Sequence, residues 1–281
     1  MSGTLAVARN LGKLWAMVFG FAALLGGIGW ALGESRLASI FVFCSLLAAF
    51  TGWWHGERVA LAMVGARKAA DSEAPAARAS LERLARRAGI PPPRLYLITD
   101  PFPRALSTAR GVTASTVALS TGLVASASPA EVEGVLAHEV AHVVRRDAVV
   151  QTAAVVVAST LLEIARLGGF LQRALLFVLG PVAAALVHLL LSPKRELHAD
   201  RLAAELCESP HGLADALLRL ELAGELVGLA ANPVVTEPLH TVNPFPREQP
   251  AVLFDTHPPV AERVRVLRDI DPDWRDKLRA A

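Results

Sequence analysis

The chain has 281 residues, 53% of them hydrophobic and 19% charged, with a formal net charge of +2. A soluble globular chain carries about 25% charged residues, so the apolar excess points to a membrane protein, and so small a net charge gives no case for nucleic acid. The two cysteines, Cys44 inside an apolar stretch and Cys207 far from it, make no plausible disulfide and agree with a reducing compartment.

Leu14 to Gly33 and Leu37 to Trp54 are uncharged and mostly apolar. Each is close to the ~20 residues a helix needs to cross the hydrocarbon core. Only Glu34 to Arg36 separates them, so they read as a helical hairpin, with Trp15, Trp30, Trp53 and Trp54 near the interfaces. A cleaved signal peptide competes for the first segment, with Arg9 and Lys13 ahead of it, but a second span follows at once.

Ala74 to Ala88 is an amphipathic helix stopped by Gly89, and Pro91 to Pro93 breaks the chain. Leu95 to Thr99 alternates as a strand, Thr116 to Ser120 is another, and Ala105 to Ala109 is a short strand between them. A small sheet here would lie beside the next element. Its edge could hold an extended peptide by backbone pairing, or it could be an ordinary core sheet.

Ser128-Pro129-Ala130-Glu131 is a helix start: a capping serine, proline at the first helical position, and glutamate three residues on. Val132, Val135, Leu136, Val140 and Val143 keep a helical period. This places His138-Glu139-Val140-Ala141-His142, an H-E-x-x-H run, on a helix. Residues four apart share a face, so His138 and His142 can offer two imidazoles to one metal ion, with Glu139 bordering that face. Zinc takes imidazole readily, and a catalytic zinc keeps one position for a water whose proton a nearby carboxylate can accept. The plainer alternative is two helix histidines beside a solvated glutamate. Glu131, Glu133, Arg145, Arg146 and Asp147 argue that this helix lies outside the bilayer.

Ala148 to Ile164 and Ala174 to Leu191 are two more apolar blocks, near the lower limit for a span, with Arg166 and Arg173 between them. They form a second hairpin or, alternatively, buried core helices. His188 reads as an interhelical polar contact. Lys and Arg concentrate at Arg9, Lys13, Arg58, Arg67, Lys68, Arg145, Arg146, Lys194 and Arg195, which puts both termini and the metal helix in the cytoplasm.

A third metal ligand is required. Arg145 and Ala148 stand where a metzincin needs Gly and His, which excludes that subclass. Glu196 and Asp200 share a face of a later helix: Glu196 would bind zinc, and Asp200 would accept the second ring N–H of a ligand histidine. Alone, Glu196 would read as a solvated carboxylate; its pairing with the H-E-x-x-H run changes that. His198 points to the other side and reads as a surface or packing residue. A helix runs from Glu196 to about Cys207, another follows Ser209-Pro210, Pro233 to Pro259 is irregular, and a last helix starts near Pro259. His257 is the better candidate for an oxyanion donor than Tyr96, which falls in a strand, although it could be a simple loop histidine.

Ser120-Thr121-Gly122-Leu123, the H-E-x-x-H helix with Asp147, the Arg195-Glu196…Ala199-Asp200-Arg201 run and Thr256-His257-Pro258-Pro259…Glu262-Arg263 together resemble the HtpX-like membrane zinc metallopeptidases, relatives of the CAAX prenyl proteases. The resemblance covers most of the chain. It implies a mostly α membrane protein with four transmembrane helices and a cytoplasmic α+β metallopeptidase domain with a small sheet. The parts would be a transmembrane hairpin (1–56), the first part of the domain (57–147), a second hairpin (148–192) and the rest of the domain (193–281). It also implies one zinc ion (Zn2+) on His138, His142 and Glu196, Glu139 as general base, and His257 as transition-state donor. The activity implied is an endopeptidase of the bacterial inner membrane acting on misfolded membrane proteins. Arg104-Ala105-Leu106 departs from the Asn-Ala-Phe-like run usual on the family's edge strand. A narrow CAAX-type processing enzyme and a membrane scaffold with a structural metal are the alternatives.

Overall fold

A computed structural model describes residues 2–31, 35–167, 190–226, 239–241 and 257–273, with isolated positions at 172, 173, 177, 181, 184, 185, 187, 188 and 236. The block expected at Ala174 to Leu191 and the irregular stretch from Pro233 to Pro259 therefore lie largely outside the described residues.

Helices α1 (Ser2–Ala31) and α2 (Ser35–Met63) form the first hairpin. They cross closely at small residues: a Cβ on Gly29 would lie 2.7 Å from the Ala38 Cα. Trp15, Phe19, Trp30, Phe43 and Phe50 are exposed on them, which suits helices facing lipid. Among the described residues, α2 alone is long and apolar enough to cross a membrane. It does not stop at Trp54. It runs on to Met63, and its buried Glu57 accepts hydrogen bonds from Arg94 and, at 2.6 Å, from the Thr116 hydroxyl.

The sheet contains β1 (Ala66–Lys68), β2 (Arg94–Ile98), β3 (Ala105–Gly111) and β4 (Ala114–Ser120), in the order β1-β2-β4-β3. β2 runs parallel to β4, with Arg94 opposite Thr116, and β3 pairs antiparallel to β4, with Ala105 opposite Leu119. This leaves β3 at the edge, and Leu106 on that edge makes an isolated antiparallel bridge to His240. α3 (Pro75–Arg87) buries Leu81 and Leu84 against the core.

Short α4 (Thr121–Ser126) leads into the central helix α5 (Pro129–Val144). The α5 start is a capping box: the Ser128 hydroxyl accepts from the Glu131 amide at 3.2 Å and the Glu131 carboxylate accepts from the Ser128 amide at 2.7 Å. Val135, Leu136 and Val140 are fully buried. After α5 the chain turns through Arg146, whose φ of 63° is left-handed, and enters α6 (Asp147–Leu167). α7 (Lys194–Cys207) and α8 (His211–Leu226) pack on α5, and α9 (Val260–Arg268) packs on α7 and α8. Ala184, Val187, Leu190 and Leu191 pack with α6 and with Met17 of α1.

Candidate metal centre

α5 carries His138 and His142 one turn apart, and the first turn of α7 carries Glu196. All three are buried: His138 and Glu196 are 0% exposed and His142 is 2%. The two Nε2 atoms lie 3.0 Å apart, and each is 3.4 Å from Glu196 Oε2. Ligands held tetrahedrally on zinc, with bonds of about 2.0–2.1 Å, stand about 3.3 Å from one another. The three separations match the edges of one face of such a tetrahedron. Glu196 Oε2 is buried without a hydrogen-bond partner among the described residues, which in a protein interior costs free energy unless something binds there. The donor set therefore fits a zinc ion. Among the described residues no fourth side chain of metal-binding type joins the group.

The ring nitrogens turned away from that point face carboxylates. His138 Nδ1 lies 2.9 Å from Asp200 Oδ1, one turn beyond Glu196 on α7. Asp200 is held in turn by Arg263, whose Nε and Nη2 donate to its two oxygens at 2.8 and 2.7 Å. His142 Nδ1 faces Asp147 Oδ2 at 3.6 Å, too long for a hydrogen bond. The left-handed turn at Arg146 is what brings Asp147 back over His142. A non-glycine residue there costs on the order of 1–3 kcal/mol. It is tolerated where the turn is fixed on both sides, and Arg145 Nε donates to Asp147 at 3.0 Å.

These charges set one another. Burial would raise the Glu196 carboxyl, but His142, His257 and His138 pull it well below its usual range. Burial likewise opposes ionisation of Asp200, and Arg263 and His138 overcome it. For His142, burial favours the neutral ring. The Glu196 carboxylate and then Asp147 outweigh this and raise its pKa to about 10. The metal-free pocket thus holds a proton that a metal ion has to displace.

The other expected residues fall as follows. Glu139 is 1% exposed, with Oε1 accepting from the Thr241 hydroxyl at 2.6 Å and Oε2 buried without a hydrogen-bond partner among the described residues. His257 enters the site, with Nε2 3.8 Å from Glu196 Oε2. His198 lies on the exposed side of α7, its Nδ1 2.6 Å from the Lys194 carbonyl. Tyr96 is in β2, packed against the cluster that holds Ile98 and Leu106. Sequence reasoning missed Thr241 altogether and gave Asp147, a flanking charge and part of the family resemblance, no role at the metal ligands.

A model of peptidase family M48 matches residues 71–271. The chain is 35% identical over 273 residues to a protease HtpX homolog of Pelotomaculum thermopropionicum, covering 91% of this chain and 97% of that protein. It is also 35% identical over 264 residues to a protease HtpX homolog of Pyrococcus abyssi, covering 88% and 91%. The crystal structure of S. mikatae Ste24p covers 95% of this chain and 66% of that one, with a TM-score of 0.49 and 19% identity.

Proposed function

The chain belongs to peptidase family M48, and from that premise we propose that it is an integral membrane zinc endopeptidase. The observation that carries this reading is the meeting of His138, His142 and Glu196 at tetrahedral spacing, with no fourth protein ligand among the described residues. A structural zinc site would be closed by four side chains, so the scaffold alternative is disfavoured.

Bound there, a zinc ion would supply Lewis acidity to a peptide carbonyl and a lowered pKa to a water. The chain supplies the rest. Asp200 accepts from His138 Nδ1 and so fixes the tautomer that turns the Nε2 lone pair to the metal. Glu139 accepts the proton of the attacking water and returns it to the departing amine nitrogen. His257 donates to the carbonyl oxygen as charge grows there. The buried setting of these groups strengthens each interaction.

Membrane residence is read from α2, from the lipid-suited face of α1, and from the apolar blocks after residue 147. Four spans, both termini and the zinc domain in the cytoplasm, and a bacterial inner-membrane location make up the proposed topology. Polypeptides are the substrate class, and misfolded membrane proteins beside the bilayer are the substrates that a membrane-anchored site would meet; a narrow CAAX-type role is the alternative. Glu139→Gln should keep bound metal while lowering casein cleavage in detergent by about 100- to 10,000-fold, the range general acid–base catalysis contributes. Metal retained with normal cleavage would remove Glu139 from this role.

A further inference from the structure

We propose that Thr241 is the positioning residue for the general base; this rests on the reading of Glu139 above. Thr241 is 1% exposed, and its Oγ1 lies 2.6 Å from Glu139 Oε1. The same hydroxyl is 3.2 Å from the Ala105 carbonyl. A hydroxyl has one proton, and the shorter contact to a charged oxygen takes it. Oε1 is thereby tied, and Oε2 is left for the water. Without that tie the carboxylate torsion is broad, and a small misplacement of a reacting group is costly.

Thr241 is itself fixed from two sides. Its amide donates to Ala105 O at 3.1 Å on the edge strand, and its carbonyl accepts from Arg263 Nη1 at 2.6 Å. Arg263, 0% exposed, holds Asp200 with its other nitrogens. One guanidinium therefore links the carboxylate that orients His138 to the residue that orients Glu139. The neighbouring His240 bridges Leu106, so β3 and α9 together set the base.

The test uses the full zinc-loaded chain in detergent, comparing wild type with Thr241→Val, which keeps the shape and loses the donor, and Thr241→Ser, which keeps the donor. Rates on labelled casein are taken per bound metal, and the affinity for a peptide hydroxamate, whose hydroxyl proton passes to the base, is measured beside them. Thr241→Val should lower kcat about 10- to 100-fold, the usual range for an outer-shell partner, leave KM nearly unchanged and weaken hydroxamate binding. Thr241→Ser should restore both. A Val variant that cleaves as fast as wild type, or faster because this segment merely blocks the cleft, overturns the proposal, as does a Val variant that loses its metal or a Ser variant that fails to rescue. A wild-type chain without metal-dependent cleavage would instead defeat the parent reading.

Discussion

At the scale of single residues, the site is a set of buried charges that makes sense as a group. His142 stands between two carboxylates, which raise its pKa from 6.5 to about 10 against the opposing effect of burial. The sign follows. In the metal-free protein the charged pair stabilises the fold fully below about pH 6.5 and loses that contribution as pH rises through about 10. A metal ion competes with the same proton, so its affinity should weaken as pH falls. At pH 8, zinc binding should release close to one proton from His142, seen as a binding enthalpy that varies with the ionisation enthalpy of the buffer; a heat independent of buffer would contradict the assignment. Much of this was legible in the sequence. The four-residue spacings of His138 with His142 and of Glu196 with Asp200 needed only a helix to become shared faces. Thr241 carried no such period: it reaches Glu139 from 102 positions away, through a segment whose own composition says only that it is irregular. The placement of Asp147 over His142 depends on Arg146 adopting a backbone conformation that an arginine does not advertise.

Among elements, α5 is the one on which the site depends. Its start was readable because a capping box is a local signal, and Ser128 and Glu131 make both of its bonds. Arg219 from α8 adds a contact to Glu131 at 2.8 Å, binding the two helices together. Their approach was not readable, because nothing in a lone glycine names its partner. A Cβ on Gly134 would overlap backbone atoms of Leu213, and one on Gly212 would overlap the Ala130 carbonyl. Gly134→Ala should therefore destabilise by about 1–3 kcal/mol, the cost of overpacking, despite alanine's better helix propensity. Thermal unfolding in detergent measures it, and an unchanged or raised midpoint would mean that the helices are not held this close. The strands tell a similar story. β2 announced itself by alternation, with β3 and β4 expected beside it, whereas three-residue β1 is too short to alternate and forms because β2 offers an edge. The second apolar stretch finishes at Trp54, but composition marks where an apolar span stops and not where a helix stops, and α2 runs on to Met63. Its continuation delivers Glu57 to Arg94 and Thr116 and sets Trp54 4.7 Å beneath the Arg110 guanidinium. These contacts tie α2 to the sheet.

For the whole molecule, the order of parts (apolar hairpin, sheet, metal helix, apolar block, glutamate helix) is what brings distant residues to one point. Composition conveyed the apolar blocks and the helical majority because both are averages over long stretches. It could not convey how α5, α7 and α9 converge, which depends on packing between segments far apart in sequence. Metal binding and cleavage by the intact chain in detergent test that convergence together. Wild type loaded with zinc should hold one ion per chain and cleave casein, while Glu196→Ala should lose most of the metal and the cleavage with it. A Glu196→Ala chain that still holds one ion and cleaves at the wild-type rate would contradict the account.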